Sequence, residues 1–553
     1  MEAGELKKEI ISTVFPEQLK TPDELESLYP PRELPEGAKV TRIAPSPTGF
    51  MHIGHLYIGL ISERLAHQSE GVFYLRFEDT DKKREVEGSK GLAIQSLSYF
   101  DIVGDEGADD QGHEKGSYGP YTQSERRGIY HTYIKKLLEE GKAYLCFCTA
   151  EDLTKMREKQ GEKKVRPGYY GEWATWRNKT PEEVQSALKE ERQFVVRFKA
   201  EGNYDKKITI DDNILGKREL PENDQDIVIM KSDGLPTYHL AHAVDDHLMR
   251  TTNVVRGDEW LSSLPLHLQL FDTLDWKAPD YAHIAPIQKM EGSTRRKLSK
   301  RKDPEANVGY FIEQGYPKES VVEYLINLAN SNFEDWRREN PDKDYRDFPL
   351  SLEKLQSSSG ALFDINKLDN ISKDVVARFT PDEVYNRFVL WAKRNDPELA
   401  PILEHNPDYT KAIFAIERNI GPKSRKDITK WSDVGEDIKY FFDETFQYNP
   451  SELTGQLKNV SPEEVKSIIQ EFIDSYDEND SKDNWFAKVK TIARKHGFAE
   501  STSVFKKNPT AFKGGVADVA KIFRILLTGK PETPDLYSIM QVMGKDRVLK
   551  RLS

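Results

Sequence analysis

Lys39-Val40-Thr41-Arg42-Ile43-Ala44-Pro45-Ser46-Pro47-Thr48-Gly49-Phe50-Met51-His52-Ile53-Gly54-His55 is the stretch that decides the fold. A β-like run from Ala38 to Ile43 meets a Pro/Gly turn, Pro45 to Gly49, and an amphipathic segment follows from Leu56 to Ala66. Strand, turn and helix in this order build a parallel α/β sheet. The reading places His52 and His55 at a helix start. There the unpaired N–H groups and the positive dipole end favour phosphate, and residues three apart share one face. Gly54 removes a side chain where a flat ring or a phosphate must come close. A single His in a globular protein is more often a satisfied structural residue. Its place at this helix start, with a partner motif downstream, reverses that reading.

The partner is Lys297-Leu298-Ser299-Lys300-Arg301, inside the cationic stretch Arg295 to Lys302. Such a stretch is suited to closing over a polyphosphate. In this order the two motifs read as the halves of an ATP site.

Outward from these motifs the chain falls into segments. Residues 1–37 form a leader ending in Pro30, Pro31 and Pro35, with no assigned role. In 38–122 short apolar runs alternate with helical stretches, including a strand over Gly71–Phe77 and a helix near 87–102. Residues 123–241 read as an insertion: helices over Ser124–Glu140, a charged helical piece over Thr149–Gln160, and strands at Phe194–Lys199 and Asp226–Lys231. The α/β pattern resumes at His242, with an apolar run at Thr252–Val255, and continues to about 305. Residues 306–375 read as helical, with one amphipathic helix over Ser320–Asn330. From there to Ser553 the pattern stays helical, as in Pro462–Tyr476 and Val516–Leu527.

At 553 residues the chain predicts three or more domains. Hydrophobic residues at 37% and charged residues at 31% exclude a disordered chain. No apolar run reaches the roughly 18 residues of a membrane span. The first twenty residues mix Glu with Lys, so neither a secretory signal nor a mitochondrial transit peptide is expected. Two Cys point to a reducing compartment, and the cytoplasm is the expected location. The net charge of −12 conflicts with nucleic-acid binding as a whole-chain property. From Lys482 onward, however, 15 Lys and Arg stand against 6 Asp and Glu. Basic residues on one face can still hold RNA, because screening confines phosphate contacts to short range.

Further blocks narrow the reading: Leu75-Arg76-Phe77-Glu78-Asp79-Thr80-Asp81, Gly119-Pro120-Tyr121-Thr122-Gln123-Ser124-Glu125-Arg126, Asp233-Gly234-Leu235-Pro236-Thr237-Tyr238-His239-Leu240-Ala241, Val255-Arg256-Gly257-Asp258-Glu259-Trp260, and near the end Leu526-Leu527-Thr528-Gly529 and Met543-Gly544-Lys545-Asp546-Arg547-Val548-Leu549. With Thr41–Gly49 and the two motifs, they resemble the bacterial-type glutamyl-tRNA synthetases of the class I aminoacyl-tRNA synthetase family, from about residue 38 to the end.

The resemblance implies a Rossmann-like α/β catalytic domain, 38–122 with 242–305, and an inserted domain that binds the acceptor end, 123–241. It also implies a stem-contact helical domain, 306–375, and a helical anticodon-binding domain, 376–553. The implied activity is ATP- and Mg²⁺-dependent ligation of L-glutamate to tRNA(Glu) through glutamyl adenylate, by a monomer that needs tRNA for efficient activation. By the same resemblance His52, His55, Lys297 and Lys300 are the catalytic candidates. Gly54, Glu259 and Ser299 join them at ATP, while Arg42, Ser46, Glu78, Tyr238, His242 and Arg256 hold glutamate. A glutamate substrate brings two carboxylates and an ammonium, which suits Arg forks with one Glu. Arg42 is the expected discriminator against the neutral amide of glutamine.

Alternatives are a form that also charges tRNA(Gln), glutamine as the substrate, a non-catalytic RNA binder, and a truncated relative acting on a modified tRNA base. The complete helical half and the intact motifs weigh against the last three. The departure is at zinc, which some members hold through Cys-x-Cys and Tyr-x-x-x-Cys. Here Cys146-Phe147-Cys148 is present, but Trp173 stands where the last Cys would be, so no structural zinc is expected.

Overall fold

The computed structural model describes residues 3–109, 113–355, 360–418, 424–447 and 460–553. The chain divides into two compact units, Met1–Phe311 with Val321–Asp364, and Ile312–Ser320 with Ile365–Ser553. The stretch 306–375, expected as one helical domain, is therefore divided between the two units. Among the described residues no helix is long and apolar enough to cross a membrane.

The first unit begins with helices α1 (Ala3–Val14) and α2 (Pro22–Leu28), so the leader is folded. Leu6, Ile10, Ile11 and Phe15 of the leader are buried in the same core as Tyr130 and Leu137. The Tyr29 hydroxyl donates to Gly119 O at 2.8 Å, and Arg32 grips Glu106 with two hydrogen bonds of 2.7 and 2.8 Å.

Next come β1 (Val40–Ile43), α3 (Ile53–His67), β2 (Val72–Leu75), α4 (Ser89–Tyr99), β3 (Glu106–Ala108) and the short β4 (Glu114–Lys115). β1, β2 and β3 are parallel, with Val40 opposite Val72 and Tyr74 opposite Glu106. All four residues of β1 are buried, as expected of a strand covered on both faces.

Residues 123–241, read from sequence as an insertion, hold α5 (Arg127–Glu139), β5 (Ala143–Cys146), α6 (Ala150–Glu162), α7 (Pro181–Lys189), β6 (Val195–Phe198), β7 (Lys207–Asp212), β8 (Gly216–Pro221) and β9 (Val228–Met230). β5, β6 and β9 form their own antiparallel sheet. The hairpin β7–β8 behaves differently. It extends the main sheet, with Asp212 opposite Tyr281, and Ile210 packs on Val254, Leu264 and Tyr281.

The main sheet resumes through α8 (Tyr238–Leu248), β10 (Asn253–Gly257), α9 (Leu264–Thr273) and β11 (Asp280–Ile284). The 241/242 edge read from sequence falls inside α8. β10 and β11 are parallel, and Thr252 N–H donates to Val40 O at 2.9 Å, which sets β10 beside β1. Two sheets, β1–β4 and β10–β11 with β7–β8, thus meet along β1 and β10 to give the order β3-β2-β1-β10-β11, and the chain reverses its direction of sheet growth between β1 and β10. Ligands of such sheets bind outside the carboxyl ends at this point. A hairpin of β12 (Gln288–Glu291) and β13 (Thr294–Lys297) then delivers the second motif.

Among its described residues the second unit is helical, apart from an isolated bridge between Ala499 and Gly515. Its helices pack on an apolar core containing Phe388, Phe414, Trp431, Phe472 and Phe523, the last two stacked at 4.2 Å.

Candidate active site

The first motif sits where strand β1 ends and α3 begins. His52 is the N-cap of α3: its Nδ1 accepts from Gly54 N–H at 2.9 Å. A Cβ on Gly54 would stand 3.1 Å from that Nδ1, so the glycine keeps room for the capping ring. With Nδ1 as acceptor, Nε2 carries the proton and donates to Leu298 O at 3.3 Å. Lys300 Nζ returns the tie by donating to Phe50 O at 2.5 Å. Two short segments separated by 246 and 250 residues are therefore joined by reciprocal hydrogen bonds.

They close a cavity of about 240 Å³ lined by His52, Gly54, His55, Glu259, Lys297 and Lys300, among others. Burial, with Lys300 nearby, pushes His55 down to about 4, and burial also lowers His52. Both imidazoles are neutral near pH 7. His52 has already given its N–H to Leu298 O, so an imidazole donor can come only from His55, and the full positive charge in the cavity comes from Lys297 and Lys300. Ser299 does not line this cavity: its N–H donates to Asp303 at 2.9 Å. Asp303 also takes two bonds from Arg296, at 2.6 and 2.8 Å, and so fixes the turn that carries Lys300. Gly257 lets the Glu259 carboxylate lie flat against the backbone, since a Cβ there would meet Oε2 at 2.1 Å.

The second part of the site surrounds Tyr238, the first residue of α8. Burial raises its phenol above the usual range; Glu78 adds to the rise while Arg256 and Arg42 oppose it, which brings all four candidates into one electrostatic neighbourhood. The ring packs on Trp260 at 4.2 Å. Arg42 is buried, donates through Nη1 to Val255 O at 3.2 Å, and lies 3.5 Å from Asp246. Ser46 is exposed in the Pro turn, which Glu78 N–H ties to β2 through Pro45 O at 3.1 Å.

Arg256 is buried, with Nε bonded to His283 Nε2 at 2.9 Å, Nη1 to His267 Nδ1 at 3.2 Å and Nη2 to Trp260 O at 3.4 Å. Among the described residues no acceptor takes the remaining N–H on each terminal nitrogen. Those two form a fork of the kind a carboxylate accepts. His242 is placed otherwise than expected for a ligand contact. It is fully buried, with Nδ1 2.8 Å from Asp246 and Nε2 2.9 Å from the Tyr281 hydroxyl. Burial pushes it down to about 4.

Behind these residues runs a buried charge network. Arg76 is fully buried and bonds Asp246 at 2.7 Å and Glu78 at 3.1 Å, with Asp245 3.6 Å away. Arg126, Tyr130 and Gln123 hold Asp245 at 2.7, 2.8 and 2.9 Å. Burial alone would raise Asp246, yet Arg76, Arg42 and His242 outweigh it and hold its carboxyl well below the usual range. For Glu78 burial prevails over the pull of Arg76 and Arg42, and its carboxyl is raised. The sequence carried signals for these supports: Arg76 directly follows the apolar strand β2, and Asp245 and Asp246 fall on the helix that bears Leu240, Ala243 and Val244.

At the end of β5, Cys146 and Cys148 Sγ lie 3.4 and 3.5 Å from the Tyr169 hydroxyl, and Cys148 lies 3.4 Å from Thr175 Oγ1. Trp173 carries the Lys163 ammonium 4.9 Å over its ring. Two thiols thus meet two hydroxyls, whereas structural zinc takes four nitrogen, sulfur or carboxylate ligands.

Residues 39–348 match the model of the catalytic domain of class I tRNA synthetases (E and Q), and residues 397–553 match an anticodon binding domain. The chain is 50% identical over 543 residues to a glutamate–tRNA ligase of Clostridium perfringens strain 13, covering 98% of this chain and 99% of that protein. It is 47% identical over 546 residues to that of Acetivibrio thermocellus, covering 99% of each. The crystal structure of a glutamate tRNA ligase from Elizabethkingia meningosepticum, in complex with its amino acid, superposes with a TM-score of 0.75 at 28% identity, over 93% of this chain and 98% of that one. Motifs, sheet order and relatives agree: the chain belongs to the glutamate–tRNA ligase family of class I tRNA synthetases.

Proposed function

We propose that the cleft between β1 and β10 activates L-glutamate with ATP and that the chain then passes the glutamyl group to tRNA(Glu), releasing AMP and pyrophosphate. The observation that carries this reading is the pair of buried guanidinium groups, Arg42 and Arg256, flanking Tyr238 beside the lysine-lined cavity. Activation needs alignment of two anions and neutralisation of phosphate charge, with no protein nucleophile. Lys297 and Lys300 supply the charge and the His55 imidazole an N–H donor, while His52 caps α3 and ties it to the second motif through Leu298 O. Mg²⁺ enters with the nucleotide and spreads charge on the leaving pyrophosphate.

At the other end the Arg256 fork takes one carboxylate and Arg42 the other, while Glu78 receives the ammonium. A glutamine amide would replace the carboxylate facing Arg42 with a neutral group, at a cost of about 1–3 kcal/mol. His242 supports the pocket by fixing Asp246 and Tyr281. Ser46 joins the amino-acid end through the turn beside Glu78. The two-thiol, two-hydroxyl cluster serves the insertion as packing, without zinc. The helical unit binds the anticodon through its basic end, and affinity falls as salt rises.

The test is aminoacylation with labelled glutamate and, in parallel, glutamine, on separate tRNA(Glu) and tRNA(Gln) transcripts. Glutamate on tRNA(Glu), and no glutamine on either, is the expected outcome. Glutamate on tRNA(Gln) as well would widen the acceptor range. No glutamate on either RNA, with ATP and Mg²⁺ present, would overturn the reading.

A further inference from the structure

Arg256 is held by more than its neighbours in sequence. Its Nε–H can only donate, so His283 Nε2, 2.9 Å away, must be the acceptor. His283 then carries its proton on Nδ1, which donates to Asp212 at 2.6 Å. The lone-pair requirement of the arginine thus fixes the tautomer, and the carboxylate fixes the ring. Asp212 is itself anchored, accepting Ile214 N–H at 3.0 Å and Leu215 N–H at 2.8 Å through Oδ1. Asp212 and His283 are buried, and the Arg256 guanidinium lies 4.7 Å over the Tyr281 ring. Asp212 ends β7, a strand that the inserted region contributes to the main sheet opposite β11.

We infer that Asp212 and His283 are positioning residues for glutamate: through a fixed imidazole tautomer the hairpin β7–β8 aims the Arg256 fork at a substrate carboxylate. The inference rests on the assignment of Arg256 to glutamate. It requires polarity, and not volume alone, at both positions. In Asp212→Asn the amide oxygen keeps the turn N–H bonds, so the NH₂ faces His283. The imidazole must then accept on Nδ1 and carry its proton on Nε2, directly against Arg256 Nε–H. A carboxylate-to-amide change that selects the wrong histidine tautomer has a known precedent in serine protease triads. His283→Gln retains an acceptor for Arg256 and a donor for Asp212, whereas His283→Leu retains neither.

Steady-state aminoacylation of a tRNA(Glu) transcript by the full chain, with melting temperature recorded for each variant, tests this. Asp212→Asn and His283→Leu are expected to raise the KM for glutamate at least about tenfold, with the KM for ATP changed less than about twofold. His283→Gln is expected to recover most of that loss. Equal glutamate KM values in His283→Gln and His283→Leu, or KM values that track melting temperature instead of polarity, would overturn the inference. If Asp212→Asn does not fold, the Gln and Leu pair at 283 decides alone. Arg256→Ala separates the two levels. An unchanged glutamate KM there would refute the assignment of Arg256 itself. A raised KM in Arg256→Ala beside a normal one in Asp212→Asn would refute only the part played by the hairpin.

Discussion

The two compact units keep their interiors in opposite ways. The first buries ions: Arg42, Arg76, Arg126, Asp245, Asp246 and Arg256 are all closed off from solvent behind its candidate site. In the second, among the described residues, Arg418 is the one buried charged side chain, in a core of aromatic and aliphatic groups. Hydrophobic residues of similar volume would often be as stable as a buried ion pair, whereas removal of a single partner is expensive. Charges in the first unit therefore point to chemistry. The second unit stands on packing and on helix ends such as Thr380, whose hydroxyl caps Glu383 N–H at 3.2 Å.

The largest effect that can break this comparison is at Arg76. Arg76→Leu leaves Asp245, Asp246 and Glu78 short of a cation, and should cost the first unit roughly 3–5 kcal/mol. Urea unfolding followed by probes in each unit measures it. A loss below about 1 kcal/mol would show that the network is not integral to that unit.

Acid is the next lever. His242 sits near 4 in the folded chain, against about 6.5 when unfolded. The unfolded state therefore binds a proton that the folded state refuses, and stability falls as pH drops from about 6.5 towards 4. At pH 5 this amounts to about 2 kcal/mol for His242, and His55 acts in the same direction. His67 opposes them: the hydrogen bonds its ring donates to Asp105 and Glu63 raise it to about 9, so its contribution is complete below about 6.5 and lost as pH rises through 9. Urea midpoints at pH 7, 6 and 5 should fall for the first unit more steeply than for the second. Parallel declines would remove the distinction.

The smallest effect sharpens the other side. Thr380→Ala should cost the second unit about 1 kcal/mol through the lost cap, with no change in the KM for glutamate. Thermal melts and aminoacylation together check both halves of that statement.

The strand–turn–helix around His52 was legible because short-range pattern alone specifies it. Both motifs that line the cavity were legible too, and the resemblance singled out Arg42, Glu78, Tyr238 and Arg256, which the structure places in one electrostatic neighbourhood. What pattern did not reveal is partnership across long separations. Asp212 reads as one more acid in a charged hairpin, and its pairing with His283 depends on β7 lying beside β11. Ser299 stands in the cationic motif, yet its backbone serves Asp303. His242 was expected to contact glutamate, yet it is fully buried, with Nε2 2.9 Å from the Tyr281 hydroxyl and Nδ1 2.8 Å from Asp246. A residue's place in a motif states where it lies, and only its hydrogen-bond partners state which way it faces.

The folded leader has a practical bearing on how this protein is divided for experiments. The matched catalytic region starts at residue 39, which invites a fragment that starts there. Such a cut would strip Leu6, Ile10, Ile11, Phe15, Leu25 and Tyr29 from a shared core and leave Glu106 and Arg250 without Arg32 and Glu26. The excised piece would carry a freshly opened apolar face into solution, and its low yield or aggregation would report on the scissors instead of the enzyme.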